Sequence, residues 1–358
     1  MTAPRRAGTW KVLGIIGLSF IMALVLAELL LRLFGLAPTE GLATVNVSDF
    51  RRLPGIFAPN QELVVRQIRA LPYRVAIDSL GYRGAAFPRD KPPGETRILF
   101  VGDSFIHGDF VDNDETLPAQ LERVLGERCH NVRVINAGLG GSTIVDHREL
   151  VARAMVLSPD LVIVGFSEND VSDLGRPTSM WEQLRENREL KSRFPMSLLY
   201  GPLRNTALWN LALAVRGRLN AARGAEVTPA APITSDSDGA VARLRDRYEA
   251  ELIAIRDLLR AQDIPLAFAA FPAHLTVSGT WRPDQIRWAV SMASEAGIPA
   301  FDLLPTLQEL RLPAESLFLL PHDGHPSPRG YGVGASYLAE RLAQLPPLSG
   351  VCRTPATS

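Results

Sequence analysis

Ile98-Leu99-Phe100-Val101-Gly102-Asp103-Ser104-Phe105-Ile106-His107-Gly108 is the stretch from which the fold can be read. Its first four residues are continuously apolar, which suits a strand buried on both faces rather than one with a wet side. Similar short runs recur at Val132-Arg133-Val134-Ile135, Leu161-Val162-Ile163-Val164, Leu266-Ala267-Phe268-Ala269 and Ile298-Pro299-Ala300-Phe301. Helical patterns separate them. Residues 117–128 carry Leu117, Leu121, Val124 and Leu125 on one face, and residues 241–262 place Leu244, Tyr248, Leu252, Ile255 and Leu259 at steps of three and four. Strands alternating with helices predict a parallel sheet covered on both faces. The expected fold class is α/β: a flavodoxin-like, three-layer α/β/α domain around a central parallel sheet of about five strands.

The composition excludes several classes. Of 358 residues, 46% are hydrophobic and 21% charged, as in a packed globular chain and not a disordered one. Lys+Arg and Asp+Glu both number 38, so the net charge is zero and the basic surplus of a general nucleic-acid binder is missing. Two cysteines, Cys129 and Cys352, cannot build a cysteine zinc cluster or a disulfide-dense scaffold.

The N-terminus bears on the compartment. Val12 to Ala27 is 16 residues without a charge, and apolar character continues to Leu36. The 25 residues 12–36 make roughly 37 Å of helix, enough to cross a bilayer. Glu28 and Arg32 interrupt the stretch at a spacing of four, where they can pair on one face. Arg5, Arg6 and Lys11 precede it, which predicts a cytoplasmic N-terminus and an exported remainder. A cleavable signal peptide ending at Val25-Leu26-Ala27 is the competing reading. The retained anchor is preferred because hydrophobicity runs past Ala27.

Four segments carry chemistry, and each falls just beyond a strand, where open parallel sheets bind ligands, or ahead of the last helix. In Gly102–Gly108, Ser104 stands on a strand-to-helix turn, with its N–H at the helix N-terminus where a developing oxyanion is favoured; Gly102 is expected to permit the sharp turn. In Asn136-Ala137-Gly138-Leu139-Gly140-Gly141-Ser142-Thr143, glycines let backbone N–H groups approach a ligand. In Ser167-Glu168-Asn169-Asp170, the asparagine amide can donate to an oxyanion. In His322-Asp323-Gly324-His325-Pro326-Ser327, an imidazole beside a carboxylate can serve as general base. Each segment alone has a plainer reading as a cap or a loop. A metal site is a rival reading of the last, but no HExxH-like ligand cluster accompanies it.

Taken together and in this order, the segments resemble the SGNH/GDSL hydrolase family over about residues 96–345. The resemblance implies Ser104 as nucleophile, His325 as base and Asp323 as its orienting acid. The backbone N–H groups of Ser104 and Gly141 and the Asn169 side chain would form the oxyanion hole, with no cofactor and no metal. Two departures stand out: Ser167 occupies a position where the family usually has glycine, and Asp323-Gly324-His325 is D-x-H instead of D-x-x-H. The short spacing, the anchor and Ser79-Leu80-Gly81-Tyr82-Arg83 resemble membrane-associated branches related to polysaccharide acyltransferases. His322 also neighbours Asp323 and is the alternative base; His325 is preferred because Pro326 and the start of a helix follow it. His107 and His274 are expected to pack or lie at the surface.

The expected organisation is a cytoplasmic N-terminus (1–11), a transmembrane anchor (12–36) and a membrane-proximal stalk (37–95) that then packs on the main domain. A hydrolase-like domain (96–346) follows, with an insertion at 176–240 that includes a mobile loop at 224–239, and then a disordered tail (347–358). Cys129 and Cys352 could pair in an oxidising periplasm, but they are read as free because Cys352 falls in that tail. The expected location is a bacterial inner membrane, crossed once, with the catalytic domain in the periplasm. The function so implied is a serine esterase acting on acyl, chiefly acetyl, esters of an exported glycan. The alternatives are an O-acyltransferase, which needs a membrane partner to supply its acyl donor, and a non-catalytic glycan-assembly protein. Expected partners are an acyl-ester substrate of polysaccharide type and the membrane, with no nucleic acid.

Overall fold

A computed structural model describes residues 7–35, 53–65, 70–203, 206–212, 215 and 238–352. The chain divides into two compact units, Met1–Thr44 with Glu189–Val227, and Val45–Arg188 with Thr228–Ser358.

The larger unit contains β1 (Gln61–Val65), β2 (Tyr73–Ile77), β3 (Thr96–Gly102), β4 (Val132–Gly138), β5 (Leu161–Ser167), β6 (Leu266–Phe271) and β7 (Ala300–Asp302). β1 and β2 pair as an antiparallel hairpin. The other five form one parallel sheet in the order β4-β3-β5-β6-β7. This is the flavodoxin-like order, and its direction of winding reverses between β3 and β5, the switch point where such sheets open a crevice. The last strand starts at Ala300 rather than at Ile298.

Alternate side chains of β3 point to opposite faces. Ile98 and Phe100 enter one core with Leu117 and Leu121 of helix Leu117–Gly126 and with Tyr331 and Leu338 of helix Pro328–Leu342. Leu99 and Val101 enter the other, with Val151 of helix Ile144–Ala154, Tyr248 and Leu252 of helix Asp238–Arg260, and Ile286 of helix Asp284–Glu295. All four β3 residues are fully buried, which is why their run shows no alternation in sequence.

Of the expected stalk, residues 37–52 and 66–69 lie outside the described residues. From Leu53 the chain belongs to the larger unit, and Arg83 fixes it there. The Arg83 side chain is buried, and its guanidinium donates to the carbonyls of His107 at 2.8 Å, Gly108 at 2.6 Å and Val111 at 2.6 Å, and to Asn113 Oδ1 at 3.0 Å. A buried cation is costly unless its donors are used; here they tie the segment after β2 to the loop that follows Ser104.

The expected disordered tail and free cysteines are corrected in part. Leu348 is fully buried in the core that holds Leu125 and Leu342. The Cys352 N–H donates to the Leu348 carbonyl at 2.9 Å, and the Cys352 sulfur is bonded to that of Cys129. The Pro346-Pro347 pair thus leads into a short docked turn instead of a loose end, held by the buried Leu348 and by the bond to Cys129. Residues 353–358 lie outside the described residues.

In the smaller unit, Ala7–Leu33 is one continuous helix. Among the described residues, Lys11–Leu33 is the one helix long and apolar enough to cross a membrane, a length and composition that a signal sequence shares. Met196–Leu203 and residues 207–212 are also helical. Of the loop expected at 224–239, residues through 237 lie outside the described residues, and 238–239 open the following helix.

Replacing Arg83 with alanine removes the donors that tie this segment to the carbonyls of His107, Gly108 and Val111. Arg83→Ala is expected to lower unfolding stability by about 3–5 kcal/mol. Chemical denaturation monitored by circular dichroism checks this, and a loss below about 1 kcal/mol contradicts the clamp.

Candidate active site

Ser104 follows β3 directly and begins the short helix Ser104–His107. Asp103 caps that helix, its carboxylate accepting the Phe105 N–H at 2.9 Å. Gly102 serves a different purpose from the expected one. Its φ is not positive; a Cβ there would stand 2.2 Å from Ile106 Cγ1, so its role is to let the helix fold back against the strand. Ser104 is half-buried and presents its hydroxyl at the carboxyl edge of the sheet.

His325 arrives from the loop before helix Pro328–Leu342. Its Nε2 lies 2.8 Å from Ser104 Oγ across 221 positions, and its Nδ1 is hydrogen-bonded to Asp323 Oδ1. The same carboxylate oxygen accepts the His325 backbone N–H at 2.8 Å. Asp323 therefore turns back over its own chain as an aspartate does in an Asx turn, which is how a D-x-H spacing brings acid and imidazole together. Phe105 and Phe110 hold the ring from two sides, with centroids 5.1 and 5.2 Å away. His322, the alternative base, is exposed.

Burial by itself would lower the His325 pKa. The hydrogen bond to Asp323 and the charges of Asp109, Asp323 and Asp103 outweigh burial and raise it above the usual histidine value. For Asp323, burial pushes upward, but the His325 hydrogen bond and charge win and hold its carboxyl below the usual range.

The turn after β4 runs Leu139 to Ser142, closed by the Ser142 N–H on the Leu139 carbonyl at 3.0 Å. Gly141 has φ +74°, and a Cβ there would meet Met180 Cε at 2.8 Å, so both conformation and space call for glycine. Its carbonyl accepts Arg176 Nη1 at 2.9 Å. Among the described residues, no acceptor takes the N–H of Ser104 or of Gly141.

Asn169 ends the turn after β5. Its Nδ2 donates to Asp173 Oδ2 at 2.9 Å and more loosely to Asp103 Oδ2 at 3.3 Å. Ser167 stands at the centre of this network, its Oγ 2.7 Å from Asp103 Oδ2, 2.7 Å from Asn169 Oδ1 and 3.2 Å from Asp170 Oδ1. One hydroxyl proton cannot serve three acceptors. Burial, then the nearby Asp103 charge, pushes the Asp170 carboxyl well up. The unusual serine at this position thus joins Asp103, beside Ser104, to Asn169.

The sequence reading did not single out Asp109. Its Oδ1 holds His107 Nδ1 at 2.7 Å, and its Oδ2 stands 3.1 Å from where a Cβ on Gly140 would lie. It sits next to the quoted motif, but nothing local marks it as facing the later histidine. His107 is buried against Phe57, and His274 packs on Phe318 beside the Asp323–His325 loop. Among the described residues, no group of three or more His, Cys, Asp or Glu is placed to hold a metal ion.

Residues 100–333, about two thirds of the chain, match the GDSL-like lipase/acylhydrolase family. No curated protein matches the sequence. Similar solved structures include a member of the lipolytic protein G-D-S-L family from Veillonella parvula, at 13% identity and a TM-score of 0.42, covering 70% of this chain and 100% of that one. Another is an acetylxylan esterase from Geobacillus stearothermophilus, at 16% identity and a TM-score of 0.38, covering 70% of this chain and 93% of the other. On the extent of the family match, this chain belongs to the GDSL-like lipase/acylhydrolase family of SGNH-type hydrolases.

Proposed function

We propose that the chain is a membrane-anchored serine esterase that removes acyl, chiefly acetyl, groups from an exported glycan. The observation that carries the reading is the hydrogen-bonded series Ser104 Oγ, His325 imidazole, Asp323 carboxylate. In this mechanism Ser104 Oγ bonds to the ester carbonyl carbon while its proton passes to His325 Nε2. Asp323 keeps the Nδ1–H tautomer and balances the imidazolium. The C–O bond to the sugar then breaks, and His325 returns the proton to the leaving hydroxyl. Water repeats the sequence on the acyl-enzyme, releasing the carboxylic acid and restoring Ser104.

The carbonyl oxygen becomes negative in both halves. The Ser104 and Gly141 N–H groups, without acceptors among the described residues, are suited to receive it. Asn169 supplies a third donor by releasing its long bond to Asp103, while Asp173 and Ser167 keep its side chain in place. The carboxylate at Asp109 stands near the same turn and favours the imidazolium that forms on His325.

The retained anchor places this chemistry on the outer side of the inner membrane, where exported glycans are found. Full-length protein is expected to stay with membranes through carbonate extraction; a soluble mature chain starting at Glu28 would contradict the anchor.

Full-length protein in detergent is expected to hydrolyse p-nitrophenyl acetate, with Ser104→Ala reducing kcat/KM by about three or more orders of magnitude. Retention of most activity in that variant would overturn the nucleophile. Acyl transfer to an oligosaccharide without net hydrolysis would replace the esterase reading with the transferase one.

Only neutral His325 can accept the serine proton. Because its pKa is raised, the rate should climb with pH through a midpoint above about 6.5. Asp109→Asn should move that midpoint to lower pH, and an unchanged midpoint would exclude the electrostatic role. Ser167→Ala should lower kcat about tenfold, the equivalent of one lost hydrogen bond, with little change in KM. Loss of binding with kcat intact would contradict its role in holding Asn169.

A further inference from the structure

Glu28 is a carboxylate inside a predominantly apolar span, an expensive placement in hydrocarbon unless the charge is used. The end of the helix at Leu33 lies five positions further on, about 7.5 Å along the axis. It is used twice over. Arg32 Nε pairs with it at 2.7 Å, and its two oxygens accept the backbone N–H groups of Ala207 and Leu208, both at 2.9 Å. Those N–H groups open the helical residues 207–212, where donors lack partners within the helix. The carboxylate therefore fixes the depth of this second segment against the span.

The segment is dressed for that depth. Leu190, Phe194, Leu198 and Leu199 are exposed, Phe194 by 80%. Tyr200 packs edge-on against Trp209 and lies under the Lys191 ammonium at 4.6 Å. Apolar side chains beside Tyr, Trp and Lys are the composition of a membrane–water boundary, where aromatic rings sit at headgroup level and cations meet anionic lipid.

We propose that residues 190–203 and 206–212 form an interfacial arm that lies in the outer leaflet boundary, with Leu190, Phe194, Leu198 and Leu199 covered by lipid acyl chains and the arm clamped to the span by Glu28. The occupant of this apolar surface is lipid, because Glu28 sets the arm at bilayer depth. The inference rests on the retained anchor, and it makes the chain a two-element membrane protein rather than a domain on a single helix.

The test uses full-length protein in nanodiscs of phosphatidylethanolamine and phosphatidylglycerol. Both native cysteines are paired with each other, so a nitroxide can be placed on single introduced cysteines. Sites are Phe194→Cys and Leu198→Cys in the arm, Leu24→Cys in the span and Glu309→Cys on the larger unit. Collision with oxygen relative to a water-soluble nickel complex is read by electron paramagnetic resonance. Leu24, Phe194 and Leu198 should all show ratios several-fold above Glu309. Arm labels that read as aqueous while Leu24 reads as lipid overturn this inference alone; an aqueous Leu24 overturns the anchor with it. Adding Glu28→Ala should lower the ratio at Leu198 and leave Leu24 unchanged. An unaltered Leu198 ratio would contradict the clamp.

Discussion

A hydrogen bond between Ser104 and His325 joins two points 221 residues apart, and the architecture of the larger unit is arranged around it. A parallel sheet puts the carboxyl ends of its strands on one edge, so residues from distant parts of the chain meet without long loops. β3 delivers Ser104 and β5 delivers Asn169 on either side of the switch point. The histidine comes from outside the sheet and needs separate support. The Asp323 turn, the Phe105 and Phe110 rings and the capped helix Pro328–Leu342 provide it.

Around that contact the charge is arranged in layers. Asp323 and Asp109 face the imidazole, Arg83 lies behind the Asp109 loop, and Asp103 joins the Ser104 helix to the Asn169 turn. These groups are desolvated, so each acts more strongly than on a surface and each must be matched. Burial and the charge of Asp103 together push the Asp170 carboxyl well up. Ser167 takes part in this balance, which gives a physical reason for a hydroxyl where the family usually carries glycine.

Much of this was legible in the sequence because it depended on local pattern. The apolar runs marked all five strands of the sheet, and the glycine and serine turns marked the edge where Ser104 meets His325. Contacts over distance left weaker traces. Arg83 lay in a quoted segment, but only the fold shows its donors reaching the carbonyls of His107, Gly108 and Val111. Asp109 needed His325 beside it to acquire meaning. Cys352 was misread because two prolines and small residues look like a loose end, and the burial of Leu348 that reverses this is a tertiary effect. Glu28 was legible as a partner of Arg32, but its bonds to Ala207 and Leu208 span about 180 residues.

The central claim is that Ser104 is a nucleophile made reactive by His325. A fluorophosphonate probe tests it most directly, since it reacts covalently with an activated serine and requires no knowledge of the natural ester. Mass spectrometry of the labelled full-length protein should find the phosphonyl group on the peptide containing Ser104, and His325→Ala should abolish the labelling while leaving the fold intact. A label on any other serine, or undiminished labelling in His325→Ala, would contradict the account.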